Sequence, residues 1–290
     1  MQILDGKIAS QSVKEILKKE IANIADNRPP HLAAILIGNN GASETYVASK
    51  IKNCEETGFK STLIRMSGDC TEAALIEEVN KLNSDDSVDG ILVQLPLPDH
   101  IDEKKIINLI TPEKDVDGFS PVSMGNLTLG NPSFIPATPY GIMLMLEHYN
   151  IETKGKHAVI IGRSNIVGRP MSILLSQSGK YGDCTVTVCH SRTKNIKEIC
   201  LQADIIVAAI GKPRFVTADM VKPGAIVIDV GITRVPDNTK KSGFAIKGDV
   251  DFDAVAPISS YITPVPGGVG LMTIAALLKN TFNAYKNRIS

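Results

Sequence analysis

The sequence predicts an α/β protein with two domains and parallel sheets. At 290 residues the chain is long enough for two hydrophobic cores, since domains cluster near ~100 to 150 residues. Short apolar runs without charged residues alternate along it with segments whose apolar residues recur at helical spacing. This alternation is typical of βαβ units, in which successive strands are parallel and helices cover the sheet.

Composition limits the kinds of partner that the protein can have. Its 31 basic and 31 acidic residues cancel, which predicts no general attraction to nucleic acid or anionic membranes. The first residues are amphipathic and contain no apolar segment like that of a signal peptide. The five cysteines form no C-x-x-C pair and no metal-like spacing with histidine. We therefore expect no metal site, and free thiols in a reducing cytoplasm.

The amino-terminal half alternates predicted strands with amphipathic helices. The predicted strands are residues 31–37, 61–66 and 88–95. The predicted helices are residues 10–25, a helix from residue 44 that Ser43 caps, a helix from residue 71, and residues 102–110. Turn-forming residues dominate the stretch 111–136, which is therefore expected to be mostly loop.

The carboxy-terminal half repeats this alternation after a helix that Thr138 caps and Pro139 begins. Its predicted strands are residues 159–161, 185–189, 204–210 and 225–230. The last predicted helix follows this series and is expected to fold back onto the first domain. We therefore predict a first domain of residues 1–138 joined by the helix 271–290, and a second domain of residues 139–270.

A glycine turn links a strand to a helix within residues 155–177. Gly162 ends the apolar strand, and Gly168 and Pro170 begin a helix with apolar residues at helical spacing. Such a turn leaves free backbone N–H groups at the positive end of a helix, where a pyrophosphate can bind. The glycine spacing is G-x5-G rather than the common G-x-G-x-x-G, so an ordinary βα turn is an equal alternative on this motif alone.

Neighbouring residues favour NADP over NAD as the dinucleotide. Arg163 and Ser164 lie within the glycine turn and suit phosphate oxygens. The next predicted strand is followed by His190, Ser191 and Arg192, where an NAD-selective site would carry an acidic residue. An acid there would repel a 2′-phosphate, whereas Arg163, Ser191 and Arg192 could bind one.

Five polar residues of the first domain are candidates for chemistry. Tyr46 and Lys50 are four residues apart and share one helix face, although a solvated surface lysine is the simpler explanation. Gln94 ends a strand at the sheet edge where ligands bind in open α/β sheets. Asp115 and Asp117 lie in a turn, where aspartate is common for structural reasons.

The Y-x-x-x-K pattern also occurs in short-chain dehydrogenases, whose lysine helps a tyrosine to act as an acid or base. In those proteins the glycine turn precedes the pattern within one domain. Here Tyr46 and Lys50 precede Gly162, so an oxidoreductase of that type is the alternative rather than the favoured interpretation.

Five blocks of sequence, in order, carry a resemblance to one family. They are TYVASK from Thr45, GILVQLPLP from Gly90, PEKDVDGF from Pro112, GRSNIVGRPM from Gly162 and TPVPGGVG from Thr263. With these blocks the chain resembles the bifunctional methylenetetrahydrofolate dehydrogenase/methenyltetrahydrofolate cyclohydrolase family over nearly its whole length.

The resemblance implies a fold and a set of functional residues. It implies a three-layer α/β catalytic domain, a Rossmann-like NAD(P)-binding domain with a cleft between them, and a homodimer. The implied catalytic residues are Lys50, Gln94, Asp117 and Tyr46, of which Tyr46 and Asp117 also bind the folate with Pro266, Gly267 and Gly268. The implied cofactor contacts are Gly162, Arg163, Ser164, Ser191 and Ile232.

The resemblance also implies two reactions at one site. NADP-dependent oxidation would convert 5,10-methylenetetrahydrofolate to the 5,10-methenyl form, and hydrolysis would then give 10-formyltetrahydrofolate. Two alternatives stay open from the sequence: a dehydrogenase without hydrolysis, and a nucleotide-sensing binding protein without catalysis.

Overall fold

The structure of the protein is a computed structural model that describes residues 1–24, 28–240 and 243–289. The chain divides into two compact units. We call residues 12–137 with 274–289 the small-sheet unit, and residues 1–11 with 138–273 the large-sheet unit. Within the described residues, no helix combines the length and apolar character needed to cross a bilayer.

The elements are numbered in chain order. The strands of the described residues are β1 (Gln2–Ile3), β2 (His31–Ile37), β3 (Lys60–Met66), β4 (Gly90–Val93), β5 (His157–Ile161), β6 (Thr185–Cys189), β7 (Ile205–Ala208), β8 (Ile226–Asp229), β9 (Thr233–Pro236), β10 (Phe244–Lys247) and β11 (Tyr261–Ile262). The helices are α1 (Gly6–Ala22), α2 (Gly41–Thr57), α3 (Glu72–Ser84), α4 (Glu103–Leu109), α5 (Pro121–Leu129), α6 (Ala137–His148), α7 (Gly168–Ser176), α8 (Ile196–Cys200), α9 (Phe252–Val255) and α10 (Val269–Ile289).

The small-sheet unit is built on three parallel strands in the order β3-β2-β4. Strand β2 carries no charged residue, and all seven of its residues are buried. Such a run suits the centre of a sheet that is covered on both faces. The apolar face of α3, with Leu75 and Val79, packs into the same core. The predicted strands here are confirmed, and the carboxyl end of β4 leads directly to Gln94.

The large-sheet unit contains six parallel strands in the order β1-β11-β8-β7-β5-β6. Strand β5 lies between β6 and β7, so the chain passes to one side of β5 and then to the other. Open α/β sheets bind ligands at the carboxyl ends of strands beside such a switch point. The glycine turn after β5 occupies this position. The two-domain α/β prediction is therefore confirmed, with parallel sheets in both units.

Helix α5 lies in the stretch 111–136, which was predicted to be mostly loop, and the sequence analysis did not predict this helix. Ser120 caps it, because its side chain accepts a hydrogen bond from the Ser123 N–H, and Pro121 occupies its first turn. Gly130 ends it in the left-handed conformation, with φ of 73°. Serine before proline is a helix-start signal, and glycine is a common helix stop, so the sequence contained both boundaries.

The predicted boundaries of α1 and α2 also differ from the structure. Asn40, and not Ser43, caps α2, since the Asn40 side chain accepts from the backbone N–H groups of Ala42 and Ser43. Helix α1 ends at Ala22, and the predicted end at residue 25 lies outside the described residues.

Residues 1–11 belong to the large-sheet unit rather than to the first domain, because β1 adds to the large sheet by pairing in parallel with β11. The small-sheet unit includes the C-terminal helix α10 only from residue 274. The last residue of the predicted helix 271–290, residue 290, lies outside the described residues.

Candidate active site

Lys50 lies on the buried face of α2. The helix places Val47, Lys50 and Cys54 at a spacing of three and four residues, and all three are buried. Lys50 itself is 4% exposed. Removing an ammonium group from water disfavours its charged form, so burial lowers the pKa of Lys50, an effect that the charge of Asp117 opposes. The solvated surface lysine considered from the sequence is therefore excluded.

Gln94 joins Lys50 to the end of strand β4. The Lys50 Nζ donates a hydrogen bond of 3.0 Å to Gln94 Oε1. The Gln94 Nε2 donates to the carbonyl oxygen of Leu95 at 2.7 Å, which holds the amide oxygen toward the lysine. The backbone N–H of Gln94 continues the sheet by donating to Ile35 at 3.0 Å. The Lys50 amine is thus fixed by an amide that is itself fixed at the sheet edge.

Tyr46 lies one helical turn before Lys50 and faces it. The Lys50 Nζ lies 4.6 Å from the centre of the Tyr46 ring. The ring is partly buried, so it presents an aromatic surface beside the amine. Such a surface suits stacking with a flat heterocycle.

Asp117 completes this group of side chains in the small-sheet unit. Burial raises the pKa of Asp117 to about 6, the charge of Asp115 adds to the increase, and the charge of Lys50 opposes it. Lys50 and Asp117 therefore interact electrostatically in surroundings that disfavour charge on both. A carboxylate here can accept two neighbouring N–H groups of a ligand, and a neutral amine can accept a proton.

The turn after β5 has a backbone path that requires glycine at two positions. Gly162 has φ of 127°, and a Cβ atom there would overlap the carbonyl oxygen of Ala209. A Cβ atom at Gly168 would overlap the carbonyl oxygen of Gly162. The Ser164 Oγ accepts from Val167 N–H at 3.2 Å and so closes the turn before α7. The turn thus places closely packed backbone at the N-terminus of α7, and this backbone cradle fits a pyrophosphate.

The other predicted cofactor residues follow strands of the same large sheet. Ser191 and Arg192 follow β6, and Arg163 follows β5, its neighbour. The side chains of all three are exposed. Ile232 follows β8 and is 66% exposed. Parallel strands end at the same sheet edge, so these four residues share the edge that carries the glycine turn.

The loop from Pro264 to Gly268 follows a close-packed path. A Cβ atom at Gly268 would lie 2.6 Å from the carbonyl oxygen of Pro264, and Gly267 has φ of 108°. The N–H of Gly6 donates to the carbonyl oxygen of Gly267 at 2.8 Å. The two prolines and two glycines of this stretch therefore specify a fixed backbone.

A pair of buried aspartates at this sheet edge was not predicted as functional. Asp229 accepts from the N–H groups of Gly231, Asp249 and Val250 at 2.8 to 3.0 Å. Asp249 accepts from Ile210 and Gly211 at 2.7 and 3.0 Å. The pair joins the segments after β7 and β8. The Gly-Asp-Val motif at 248–250 was the available signal, but its partners are distant in sequence.

Comparison with known families shows which protein family the chain belongs to. The catalytic-domain model of the tetrahydrofolate dehydrogenase/cyclohydrolase family matches residues 4–117, and its NAD(P)-binding-domain model matches residues 136–289. The chain belongs to this family. The catalytic-domain match contains Lys50, Gln94 and Asp117, and the NAD(P)-binding match contains the glycine turn.

Several members of the tetrahydrofolate dehydrogenase/cyclohydrolase family match nearly the whole chain. The bifunctional protein FolD of Porphyromonas gingivalis is 59% identical, over 98% of this chain and 97% of its own. The crystal structure of the bifunctional FolD dehydrogenase/cyclohydrolase of Campylobacter jejuni is 51% identical, with a TM-score of 0.93 and 99% of both chains covered. A Trypanosoma brucei family structure complexed with NADP and an inhibitor is 39% identical, with a TM-score of 0.94, covering 98% of this chain and 97% of that one.

Proposed function

We propose that the protein is a bifunctional enzyme of one-carbon folate metabolism. It oxidises 5,10-methylenetetrahydrofolate to the 5,10-methenyl form with NADP, and hydrolyses that form to 10-formyltetrahydrofolate. The observation that carries this proposal is the buried Lys50 amine, which Gln94 holds and which interacts electrostatically with Asp117, in a chain of the tetrahydrofolate dehydrogenase/cyclohydrolase family. This set is more than a binding protein without catalysis would need.

Asp117 and Tyr46 bind the pterin in this proposal. The 2-aminopterin ring presents an N–H and an NH₂ side by side, and the Asp117 carboxylate accepts both as a bidentate pair. The Tyr46 ring stacks on the flat heterocycle. The one-carbon bridge of the folate then lies at the Lys50 amine, four residues along the same helix face.

The oxidation step requires alignment more than acid–base chemistry. NADP, when bound, supplies the hydride acceptor for the one-carbon bridge. The residues that would hold it are Gly162, Arg163, Ser164, Ser191 and Ile232, and the backbone cradle at Gly162 and Gly168 fits its pyrophosphate. In this proposal the close-packed backbone of Pro266, Gly267 and Gly268 contacts the folate.

The hydrolysis step requires a base, and Lys50 supplies it. Water attacks the cationic methenyl carbon, and the neutral Lys50 amine accepts the proton that the water loses. The bond from this carbon to N5 then breaks, the added hydroxyl loses its proton, and N5 takes one up, which leaves the carbon as the formyl group on N10. One proton is released overall. Gln94 keeps the amine at its place by accepting a hydrogen bond from it.

The preference for NADP rests on the charge near the predicted 2′-phosphate. Arg163, Ser191 and Arg192 are exposed at the sheet edge and can donate hydrogen bonds to phosphate oxygens. The Trypanosoma brucei relative is complexed with NADP, which supports the same cofactor here.

We further propose that the enzyme acts in the cytoplasm as a homodimer. The resemblance to the family implies the dimer. All five cysteines lie within the described residues and have free thiols, which suits a reducing compartment. Cell fractionation with an antibody tests the location, and enrichment outside the cytoplasmic fraction would contradict it.

Turnover of 5,10-methylenetetrahydrofolate with NADP and NAD in parallel tests the function. We expect reduced NADP to form, with less turnover of NAD, and 10-formyltetrahydrofolate to accumulate. Hydrolysis of 5,10-methenyltetrahydrofolate is then followed alone by its absorbance. Oxidation without hydrolysis would favour the monofunctional dehydrogenase, and no turnover of either folate would overturn the proposal.

A further inference from the structure

The loop that carries Asp117 is held by side chains with no assigned role. Asp115 is 1% exposed and lies two residues before Asp117. Its carboxylate accepts from the backbone N–H groups of Phe119 at 3.2 Å and Ser120 at 2.9 Å, and from the Ser123 hydroxyl at 2.7 Å. Its carbonyl oxygen accepts from Gly118 N–H at 2.9 Å. Asp115 thus fixes the backbone on the C-terminal side of Asp117.

Asn280 fixes the backbone on the other side of Asp117. It lies on α10, within the small-sheet unit, and is 2% exposed. Its Nδ2 donates one hydrogen bond of 2.8 Å to the carbonyl oxygen of Val116 and a second of 2.8 Å to that of Ile135. Both hydrogens of one amide group are therefore used to join two passing segments of backbone.

Packing leaves these segments little freedom. Gly118 has φ of 70°, and a Cβ atom there would lie 2.7 Å from the backbone of Ile135 and Pro136. The Val116 side chain is fully buried and fills the space beside Gly90, at the start of strand β4, which Gln94 follows. The position of Asp117 is therefore set relative to both β4 and the 134–136 segment.

We propose that Asn280 and Asp115 are positioning residues that hold the Asp117 carboxylate where it binds the pterin. The inference rests on the proposed function, because it acts through Asp117. Bidentate recognition of two N–H groups needs a fixed carboxylate plane, since a displaced plane loses one of the two hydrogen bonds. Neither residue touches the substrate in this proposal.

Substitution of Asn280 by leucine is the direct test. Asn280→Leu keeps the shape of the side chain but leaves the Val116 and Ile135 carbonyl oxygens without their donor. The matched control is Thr281→Val, because Thr281 is also buried on the same helix and its hydroxyl donates within that helix, to the carbonyl oxygen of Leu277 at 2.9 Å. Tetrahydrofolate binding is measured by calorimetry, and NADP binding is measured in the same preparations.

We expect Asn280→Leu to weaken tetrahydrofolate binding by about tenfold, the equivalent of one lost hydrogen bond, without changing NADP binding. The control is expected to bind both ligands like the parent. Equal tetrahydrofolate affinity in the two variants would overturn the inference. Failure of the parent itself to bind tetrahydrofolate would instead remove the proposed function, and this inference with it.

A double-mutant cycle separates positioning from general weakening of the fold. In the Asp117→Asn background, Asn280→Leu is expected to change tetrahydrofolate affinity by less than about twofold, because the carboxylate that it positions is already gone. A full tenfold loss in that background would show that Asn280 acts independently of Asp117 and would overturn the inference.

A milder variant tests the other side of the loop if Asn280→Leu does not fold. Ser123→Ala removes the hydroxyl that donates to Asp115 and leaves no bulky gap. We expect tetrahydrofolate binding to weaken by about threefold with NADP binding unchanged. Tetrahydrofolate affinity equal to that of the parent would overturn the role of Asp115.

Discussion

At the scale of single residues, the same two opposing effects set the pKa values of Lys50 and Asp117. Burial raises the free energy of each charged form, while the opposite charge on the partner lowers it. The pKa of Lys50 falls and that of Asp117 rises, so the two values approach each other. A lysine with a lowered pKa gives up its proton more readily, so it can serve as a base more efficiently than an exposed lysine can.

Lys50→Met is expected to abolish cyclohydrolase activity, a loss of at least about a hundredfold, because it removes the base. NADP binding is expected to stay at the level of the parent. A coupled absorbance assay of methenyltetrahydrofolate hydrolysis measures the loss. Lys52→Met is the control, since Lys52 lies on the same helix with an exposed side chain. Retained hydrolysis in Lys50→Met would refute the assigned role.

Asp117 should make folate binding depend on pH. Its pKa is raised to about 6, so the carboxylate is ionised above that pH and becomes protonated as the pH falls through it. A protonated carboxyl group cannot accept both pterin N–H groups, and the KM for the folate is therefore expected to rise below about pH 6. The Asp117→Asn variant should show a higher KM without this dependence. A parent KM that is constant between about pH 5 and 7 would count against the pterin contact.

At the scale of elements, strand β5, the glycine turn and α7 form one closely packed unit. Gly162 and Gly168 allow two segments of backbone to approach more closely than any side chain would permit. The Gly162 N–H also donates to the carbonyl oxygen of Cys189 on the adjacent strand at 2.8 Å. The turn is therefore anchored to β6, and Arg163 projects from an anchored backbone. A cation in this position can read the 2′-phosphate that distinguishes NADP from NAD.

Arg163→Ala is expected to lower kcat/KM for NADP by about ten- to a hundredfold and to leave that for NAD nearly unchanged. This range corresponds to the loss of one charge-assisted hydrogen bond. Initial rates with both cofactors measure it. Arg65→Ala is the control, because Arg65 is an exposed arginine of the small-sheet unit paired with Glu44. Equal discrimination in Arg163→Ala and the parent would show that another residue reads the phosphate.

At the scale of the whole molecule, the two units are discontinuous in sequence. Residues 1–11 add strand β1 to the large sheet, although most of that unit begins only at residue 138. The carboxy-terminal helix contributes Asn280 to the small-sheet unit, 164 residues beyond its partner Val116. Truncation at either end of the chain would therefore remove part of a core that is encoded elsewhere.

The proposed homodimer is the prediction that belongs to this scale. Light scattering after size exclusion should give twice the mass of the chain at micromolar concentration. The mass should decrease only on dilution, because a specific interface dissociates by mass action. A monomer mass across the whole concentration range would contradict the dimer.

Sequence patterns determined strands β2 to β8 and most helices of this protein, because local periodicity and uncharged apolar runs report burial directly. The short strands β1, β9, β10 and β11 were not predicted. Residues 31–37 show this best: the predicted strand and the observed strand coincide. The candidate site residues were found from motifs whose members lie close in sequence, such as Tyr46 with Lys50. Helix α5 was missed although Ser120 and Pro121 are helix-start signals. The many turn-forming residues of this stretch favoured a loop over a helix with so short an apolar pattern.

Only the tertiary structure decided which residues hold the candidate site residues in place. Gln94 meets Lys50 across 44 positions, Asn280 meets Val116 across 164, and β1 pairs with β11 from the opposite end of the chain. No local pattern encodes such partners, because each depends on how distant segments pack. For the same reason the lowered pKa of Lys50 follows from burial in the fold, whereas its sequence alone is equally compatible with an exposed amine.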